Sequence, residues 1–218
     1  IETIAVNGDA HAVEYPALTD WERQMELSPG PNTLVIEGRG SSGQIISSDS
    51  ITITYSGSAV APDGLLVINE IMYNPLAQQA EFVELHNLSP TETLNLGGLR
   101  LNGLDFTFKS GTFIGPTGYV VVAESMPAYA AAYSNAEVVV GEFAGTLDNG
   151  GETLSIQVPV GTNAWSTIDR VTYDNALPWP FLADNGGYSL QLIDATRDNS
   201  LVGNWATGGA VLYTPGWA

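Results

Sequence analysis

The chain contains no cysteine, and this absence removes several chemistries at once. Disulfide bonds, thiol nucleophiles and cysteine-ligated zinc all need a sulfur atom that the sequence does not supply. Histidine is also scarce, with two residues in 218, so we do not expect a histidine-rich metal centre. The lack of cysteine does not by itself fix the cellular compartment, since many secreted proteins contain none.

Positive charge is the second feature the sequence has little of. Six Lys and Arg residues stand against 24 Asp and Glu, which gives a formal net charge of -18. A surface of this sign repels the phosphates of nucleic acids and the head groups of anionic lipids. We therefore expect no nucleic-acid partner. Solubility in a salty, extracellular setting is one explanation of the acidity, and cation binding is the other.

Long apolar runs are missing as well. Hydrophobic residues make up 44% of the sequence but are dispersed among Gly, Ser, Thr and Asn. No stretch approaches the roughly 18 consecutive apolar residues of a membrane span, and we expect no membrane insertion. The first residues, IETIAVNGD, lack the basic and apolar regions of a signal peptide. We interpret the chain as a piece of a longer, processed protein.

What the sequence does contain is the period-two alternation typical of β-strands. It occurs in ITITY at residues 51–55, in residues 21–27 and in Leu154–Val158. Continuous apolar runs at residues 119–123 and 138–140 are typical of central strands. One helix is predicted over AYAAAY, because Ser125 suits its cap and Pro127 its first turn. The pattern indicates an all-β fold with one short helix.

A stretch rich in small and polar residues divides the sequence into three predicted segments. Residues 1–57 resemble part of an immunoglobulin-like or fibronectin-like module, and about half of a usual sandwich of ~100 residues is present. Residues 58–64 contain Ser, Pro and Gly and are interpreted as a linker. Residues 65–218 form the main domain. Within the first segment, Gly38–Gly43 matches the glycine pattern of dinucleotide sites, but a strand pattern follows it where a helix would be needed, so it predicts a hairpin turn.

Few residues suit catalysis. Glu70 and Glu84 lie in two neighbouring strand patterns, and His86 is two residues beyond Glu84. A glycosidase needs two carboxyl groups at a fixed separation, so these three residues define a hydrolase hypothesis. The simpler interpretation is that the three side chains lie on an outer, solvent-facing side of the sheet, where Arg100 or Arg170 can pair with the carboxylates.

Calcium is the better electrostatic hypothesis. Asp148, Asp184, Asp194 and Asp198 lie in Asp/Asn/Gly segments that offer hard oxygen ligands. None of these segments fits the EF-hand pattern. Asp-Asn-Gly sequences are also what tight turns require, and we favour the turn interpretation.

An aromatic loop supplies the remaining candidate site. Trp179 stands between two prolines, with Phe181 and Asp184 close behind it. A rigid Trp beside a carboxylate is able to stack on a sugar or to anchor a partner. The alternative, which we favour, is that Trp179 folds back onto the edge of the sandwich, because large aromatic side chains are mostly buried.

The combination of motifs from residue 66 to the C-terminus resembles a lamin tail domain. It begins with LVINEIMYNP and EFVELHN, continues with FTF, GTFIGPTGYVVVAE, LDNGGE and IDRVTYD, and ends with GGYSLQL, DN, NW and TPG. The resemblance implies an immunoglobulin-like β-sandwich without catalytic residues. The rod heptads and basic nuclear-localisation run of lamins are absent from the sequence, so the resemblance favours the copies found in bacterial secreted and surface proteins.

The sequence therefore predicts a non-catalytic interaction or spacer module of a larger bacterial protein at the cell surface or outside the cell. Its partner would be a protein or a surface glycan. The first alternative is a carbohydrate-binding accessory domain that uses Trp179. The second is the hydrolase built on Glu70, Glu84 and His86.

Overall fold

The computed structural model describes residues 1–11, 13–25, 27–28, 30–56, 60–134 and 138–208, apart from the side chain of Asn185. The described chain is mostly β-strand, which confirms the predicted fold class. It forms two compact units. The first unit is Ile1–Ala61 with Asn95–Gly97 and Lys109–Phe113, and the second is Pro62–Leu94, Gly98–Phe108 and Ile114–Ala218.

The first unit is built on a three-stranded antiparallel sheet in the order β1-β4-β5, accompanied by a β2-β3 hairpin. Its strands are β1 (Thr3–Val6), β2 (Val13–Ala17), β3 (Asp20–Arg23), β4 (Gly30–Arg39) and β5 (Ile45–Tyr55). Arg23 ties the hairpin to the first strand, since its guanidinium donates to the carbonyl oxygen of Asp9 at 2.6 Å and pairs with the Asp9 carboxylate at 3.1 Å.

Two expectations for the first unit can be compared with its strands. Residues 38–43 lead from β4 into a tight turn, in which the N–H of Gly43 donates to the carbonyl oxygen of Gly40, and the chain then continues as β5. The hairpin prediction is confirmed. The strand predicted over residues 21–27 is shorter than expected: it ends at Arg23, and Glu26 lies outside the described residues.

The second unit contains two principal sheets. The larger has six strands in the order β13-β12-β7-β6-β16-β17, and the smaller has four in the order β10-β9-β14-β15. The six are β6 (Leu66–Met72), β7 (Phe82–Asn87), β12 (Tyr119–Ala123), β13 (Val139–Glu142), β16 (Leu190–Leu192) and β17 (Trp205–Thr207). The four are β9 (Arg100–Asn102), β10 (Phe106–Thr107), β14 (Thr153–Gly161) and β15 (Ala164–Thr172).

The remaining elements are short. Strands β8 (Leu94–Asn95) and β11 (Phe113–Ile114) form a two-stranded sheet. Helix α1 spans Met126–Tyr133, α2 spans Leu182–Asn185, and a 3-10 turn covers Val202–Asn204. The prediction of α1 is confirmed, with Ser125 accepting a hydrogen bond from the N–H of Ala128 and Pro127 in the first turn.

The core of the sandwich is formed by the side chains that point inward from both sheets. Alternate residues of β6, β7 and β12 share one face of the large sheet, and alternate residues of β9, β14 and β15 share one face of the small sheet. The buried members include Ile68, Val83, Leu85, Val120, Val122, Leu101, Leu154, Ile156 and Val171.

The opposite face of the large sheet is covered as well, and this was not foreseen. Helix α1 lays Tyr129 and Tyr133 across Phe82, with ring centroids 5.5 and 5.1 Å from it, both edge to face. A second apolar cluster results, made of Met72, Phe82, Val121, Ala123, Tyr129 and Val139. Strand β12 is internal, as predicted, but β13 lies at the edge of the described sheet, so the central position predicted for residues 138–140 was wrong.

Candidate functional site

A pair of glutamates lies side by side in the second unit. Strands β6 and β7 are antiparallel, and their register places Glu70 directly opposite Glu84. The register shifts between Ile68 and Glu70, so that Asn69 is an extra residue on β6. Because of this bulge, Glu70 rather than Asn69 shares the face of the sheet that carries Glu84.

Both carboxyl groups are fully buried, at 0% exposure. The expectation that Glu70, Glu84 and their neighbours face solvent was therefore wrong. Phe82 on the same face is also completely buried, because α1 covers this side of the sheet. The expected pairing with Arg100 was wrong too, since its Nε donates to the Gln157 side chain at 2.6 Å and its guanidinium lies over the Trp165 ring.

Polar neighbours hold each carboxyl group in place. The Asn69 amide donates to Glu84 at 2.9 Å, so the bulge residue orients the glutamate of the facing strand. On the other side, the Ser189 hydroxyl donates to Glu70, and the Gln191 amide donates to that hydroxyl at 3.0 Å. Buried polar groups that have hydrogen-bond partners in this way form a network that helps to fix one arrangement of the surrounding side chains.

The hydroxyl of Tyr129 completes this region. It is buried and has no hydrogen-bond partner among the described residues. Burial raises the pKa of this phenol, and the nearby Glu84 and Glu70 carboxyls raise it further. Tyr129 packs in one cluster with Phe82 and with Val121, the residue opposite Glu84 on β12, so helix α1 covers the face of the sheet that carries the pair.

His86 does not join the two glutamates in a catalytic arrangement. Its ring stacks on Tyr119 with centroids 4.2 Å apart, and Nδ1–H donates to the carbonyl oxygen of Gly118 at 3.0 Å. Burial lowers the pKa of the imidazole, while that hydrogen bond raises it. Because the two carboxyls are sealed from solvent, neither a glycosidic bond nor an attacking water has a route between them.

Three of the four aspartates considered for calcium act in turns, and the fourth, Asp184, lies in a short helix. Asp148 accepts from the N–H of Gly150 at 2.7 Å, and Asp198 accepts from the N–H of Ser200 at 2.8 Å. Asp194 accepts from the backbone and hydroxyl of Thr196 and pairs with Arg197 at 3.1 Å. Asp184 lies in α2, where its carbonyl oxygen accepts from the Asn74 amide. Within the described ranges, no cluster of three or more His, Asp or Glu side chains has the geometry to hold a metal ion.

The aromatic loop divides into buried and exposed residues. Trp179 is only 7% exposed and lies 6.2 Å from Trp205, centroid to centroid. Phe181 and Leu177 on either side of it are 65% and 83% exposed. The ring of Trp179 thus packs against the second unit and has almost no free face on which a sugar can stack. Phe181 is the aromatic side chain of this loop that a partner can reach.

The sequence analysis missed one buried acid, Glu81, and one partly buried acid, Asp169. Glu81 accepts from the N–H of Leu147 at 2.6 Å, and burial raises its pKa to about 7. Asp169 accepts from the N–H of Ile68 and from the Asn199 amide, both at 2.8 Å, and thereby links the two sheets. Burial raises the pKa of Asp169, although these hydrogen bonds lower it. Local patterns give no signal for either contact, since the partners are distant in sequence.

A shallow groove of about 430 Å³ borders Asp169. It is lined by residues 167–170 of β15 and by Asp198, Asn199 and Ser200. Arg170 and Asp198 bring charges of both signs to its wall, so the groove is polar but has no consistent sign of charge.

These features describe a β-sandwich whose acidic pair is sealed and whose aspartates stabilise turns. The family model for the Lamin Tail Domain matches residues 59–175, more than half of the chain. The chain belongs to the lamin tail domain family.

Membership in this family explains the immunoglobulin-like β-sandwich of the second unit. The lamin tail domain family is non-enzymatic, so it has no active-site residues that could be mapped onto this chain. The matched segment of this lamin tail domain contains the Glu70–Glu84 pair, and the Trp179 loop follows it. No curated protein and no solved structure matched the chain.

The TPG motif at residues 214–216 lies outside the described residues. Of the helices that the structure describes, none has the length and apolar character needed to cross a membrane.

Proposed function

We propose that this lamin tail domain is a non-catalytic interaction or spacer module of a larger bacterial protein that works at the cell surface or outside the cell. Its partner is a protein, or a glycan of that surface. The family membership supports the absence of a reaction, and the acidic composition favours an extracellular role.

The observation that carries the binding role is the exposed pair Leu177 and Phe181. They are 83% and 65% exposed and stand on either side of Trp179, and apolar side chains grouped at the surface are typical of interaction sites. Between them, buried Trp179 fixes the loop to the second unit, so the two side chains are held in place before binding occurs. Binding then requires little ordering of the loop.

Carbohydrate binding through Trp179 has no comparable support. The indole would have to leave its contact with Trp205 before it could stack on a sugar. A glycan that binds this loop is therefore expected to use Phe181.

The test is retention of the parent protein by the bacterium that carries the gene. We expect washed cells to keep the parent protein, and deletion of residues 65–218 to release it into the medium. The double variant Leu177→Ser/Phe181→Ser should be released in the same way. Val160→Ser is the matched control, because Val160 is an apolar residue of the same unit that is 60% exposed.

Two results would contradict the proposal. One is equal retention of the intact and the deleted protein, or recovery of the parent protein in the cytosol. The other is turnover of a substrate by the purified chain that Glu84→Ala abolishes while the fold is retained.

A further inference from the structure

We propose that Glu70 and Glu84 hold one proton between them, and that loss of this proton at alkaline pH loosens the sheet face covered by helix α1. The pair is thus a buried proton-binding site between the large sheet and helix α1 rather than a ligand site on the surface.

The first step of the argument is the register. Residues that lie directly opposite each other in an antiparallel pair have Cβ atoms about 4.5–5.5 Å apart. Glu70 and Glu84 are such a pair and project from the same face. Their carboxyl groups therefore occupy neighbouring space, and two negative charges there repel each other strongly.

The second step is the environment. Both side chains are fully buried, as is the ring of Tyr129 above them. Water does not screen charges in such a place, so the energy of two adjacent carboxylates is high. The Asn69 amide donates to Glu84 and the Ser189 hydroxyl donates to Glu70, and neither donor carries a charge.

The third step identifies the titratable groups around the pair. Helix α1 contributes Tyr129 and Tyr133, strand β12 contributes Tyr119, and β7 itself contributes His86. Burial raises the pKa of the Tyr129 and Tyr119 phenols, which favours their neutral form. His86 donates away from the pair, to the Gly118 carbonyl oxygen, and burial disfavours its charged form. A proton held between the two adjacent, buried carboxyls reduces the charge of the pair and removes their mutual repulsion.

The consequence is a dependence of packing on pH. A carboxyl that keeps its proton donates an O–H to the neighbouring carboxylate and joins β6 to β7 through side chains. When the proton is lost, two anions remain beneath Tyr129 and Phe82. The α1 cluster, which lies on this face, should then open before the inner core of the sandwich does.

The direct test uses the full chain with carbon-13 in the glutamate side-chain carboxyl groups. NMR of the wild-type protein at pH 7 should show one proton shared by Glu70 and Glu84, and resonances of both should move together when it is lost at alkaline pH. Assignment comes from Glu70→Gln and Glu84→Gln. The proposal is overturned if both carboxyls are ionised at pH 7.

Thermal unfolding gives the second readout. A single Glu→Gln change replaces the carboxyl O–H by an amide N–H, so either variant should melt within about 3 °C of the wild type at pH 7. Either should also lose the alkaline decrease in Tm and the early hydrogen exchange of α1. Glu92→Gln is the control, because Glu92 is exposed and should leave the alkaline decrease intact.

Two outcomes of the melting series would reject the shared proton. The first is an alkaline decrease in Tm that both single variants keep. The second is a drop in the wild-type Tm on addition of a chelator together with ionised carboxyls in the NMR spectrum, which would mean that a bound cation neutralises the pair.

Discussion

The two compact units use the same strand pattern with opposite results. In β5 of the first unit, Ile51 alternates with threonines and is 52% exposed, and every residue from Ile45 to Thr54 is exposed. In β7 of the second unit, neighbours Phe82 and Val83 point to opposite faces and are both fully buried. Alternation specifies a strand, but burial depends on how many layers cover it.

The comparison also concerns polar groups. In the first unit, the Asp9 carboxylate pairs with Arg23 and remains partly accessible. In the second unit, Glu70, Glu81 and Glu84 are withdrawn from solvent. Glu70 accepts from the Ser189 hydroxyl, Glu84 accepts from the Asn69 amide at 2.9 Å, and Glu81 accepts from the N–H of Leu147 at 2.6 Å. The buried acids of the second unit thus accept hydrogen bonds from neutral groups, whereas Asp9 in the first unit is paired with a cation and remains in contact with water.

The largest expected difference between the units comes from removing an apolar side chain. Phe82→Ala should destabilise the second unit by about 4 kcal/mol, because it leaves a cavity beneath Tyr129 and Tyr133. Ile51→Ala should cost the first unit less than about 1 kcal/mol, since Ile51 is already half exposed. Hydrogen exchange of the backbone amides in each unit measures both losses of stability. Equal costs would mean that β5 is covered in solution.

Glycine turns give the next largest difference. Gly151 has a φ of +106°, and an added Cβ would lie 2.5 Å from the Tyr173 carbonyl oxygen, so Gly151→Ala meets fixed backbone. We expect a cost of about 3 kcal/mol. Gly43, in the hairpin turn of the first unit, has a φ of +79° and open space around it. Gly43→Ala should cost about 1 kcal/mol, from backbone strain alone. Urea unfolding compares the two, and a similar cost would show that the crowding at Gly151 is relieved by small shifts.

Two asparagine side chains, each of which donates to three backbone carbonyl oxygens, allow the effect of burial on hydrogen-bond strength to be compared. The Asn87 amide donates to the carbonyl oxygens of Glu92, Ile114 and Gly115, and Asn87 is fully buried. The Asn32 amide donates to Ser28, Gly30 and Ile53 but is partly accessible.

Asn87→Ala should therefore cost about 2.5 kcal/mol, because water cannot replace the lost donor. Asn32→Ala should cost about 1 kcal/mol. Thermal unfolding with hydrogen exchange separates the two contributions. A larger effect at Asn32 would contradict the idea that burial sets the value of these bonds.

The smallest expected effect is a dependence of stability on pH with opposite sign in the two units. Burial raises the pKa of Glu81 from its ordinary value of 4.5 to about 7. The contribution of Glu81 to the free energy of unfolding is fully present below pH 4.5 and is lost as the pH rises to about 7. Glu81→Gln should remove this loss, so the variant should gain about 2 kcal/mol on the wild type between these pH values.

Asp9 provides the contrasting case. Burial raises its pKa, but the N–H of His11 and the Arg23 guanidinium outweigh burial and lower it below 3.8. The contribution of Asp9 to the free energy of unfolding is present above pH 3.8 and is lost as the pH falls through the lowered pKa of Asp9 in the folded protein. Asp9→Asn should therefore weaken the first unit at pH 7 and have no effect at the acid end. Urea unfolding across the pH range measures both variants, and the same sign of change in both would contradict the comparison.

Much of the fold was predictable because its signals are local. The alternation in β5 and β14, the apolar run of β12, the Ser125 cap of α1 and the glycine turn at residues 40–43 all act within a few residues. The lamin tail resemblance rests on the same kind of local motif and was confirmed. The candidate site was less predictable, because exposure of Glu70 and Glu84 depends on α1, which follows β7 by about 40 residues of chain.

The sequence by itself determined the strand pattern, the short helix, the family and the chemistry that cysteine and histidine scarcity excludes. Only the tertiary structure decided which face of each strand is covered, that Glu70 faces Glu84, and that Trp179 is buried while Phe181 is exposed. The physical reason is that backbone propensity and turn formation act between near neighbours in the chain. Burial, register and the charge state of acids depend on residues that meet only when the layers pack.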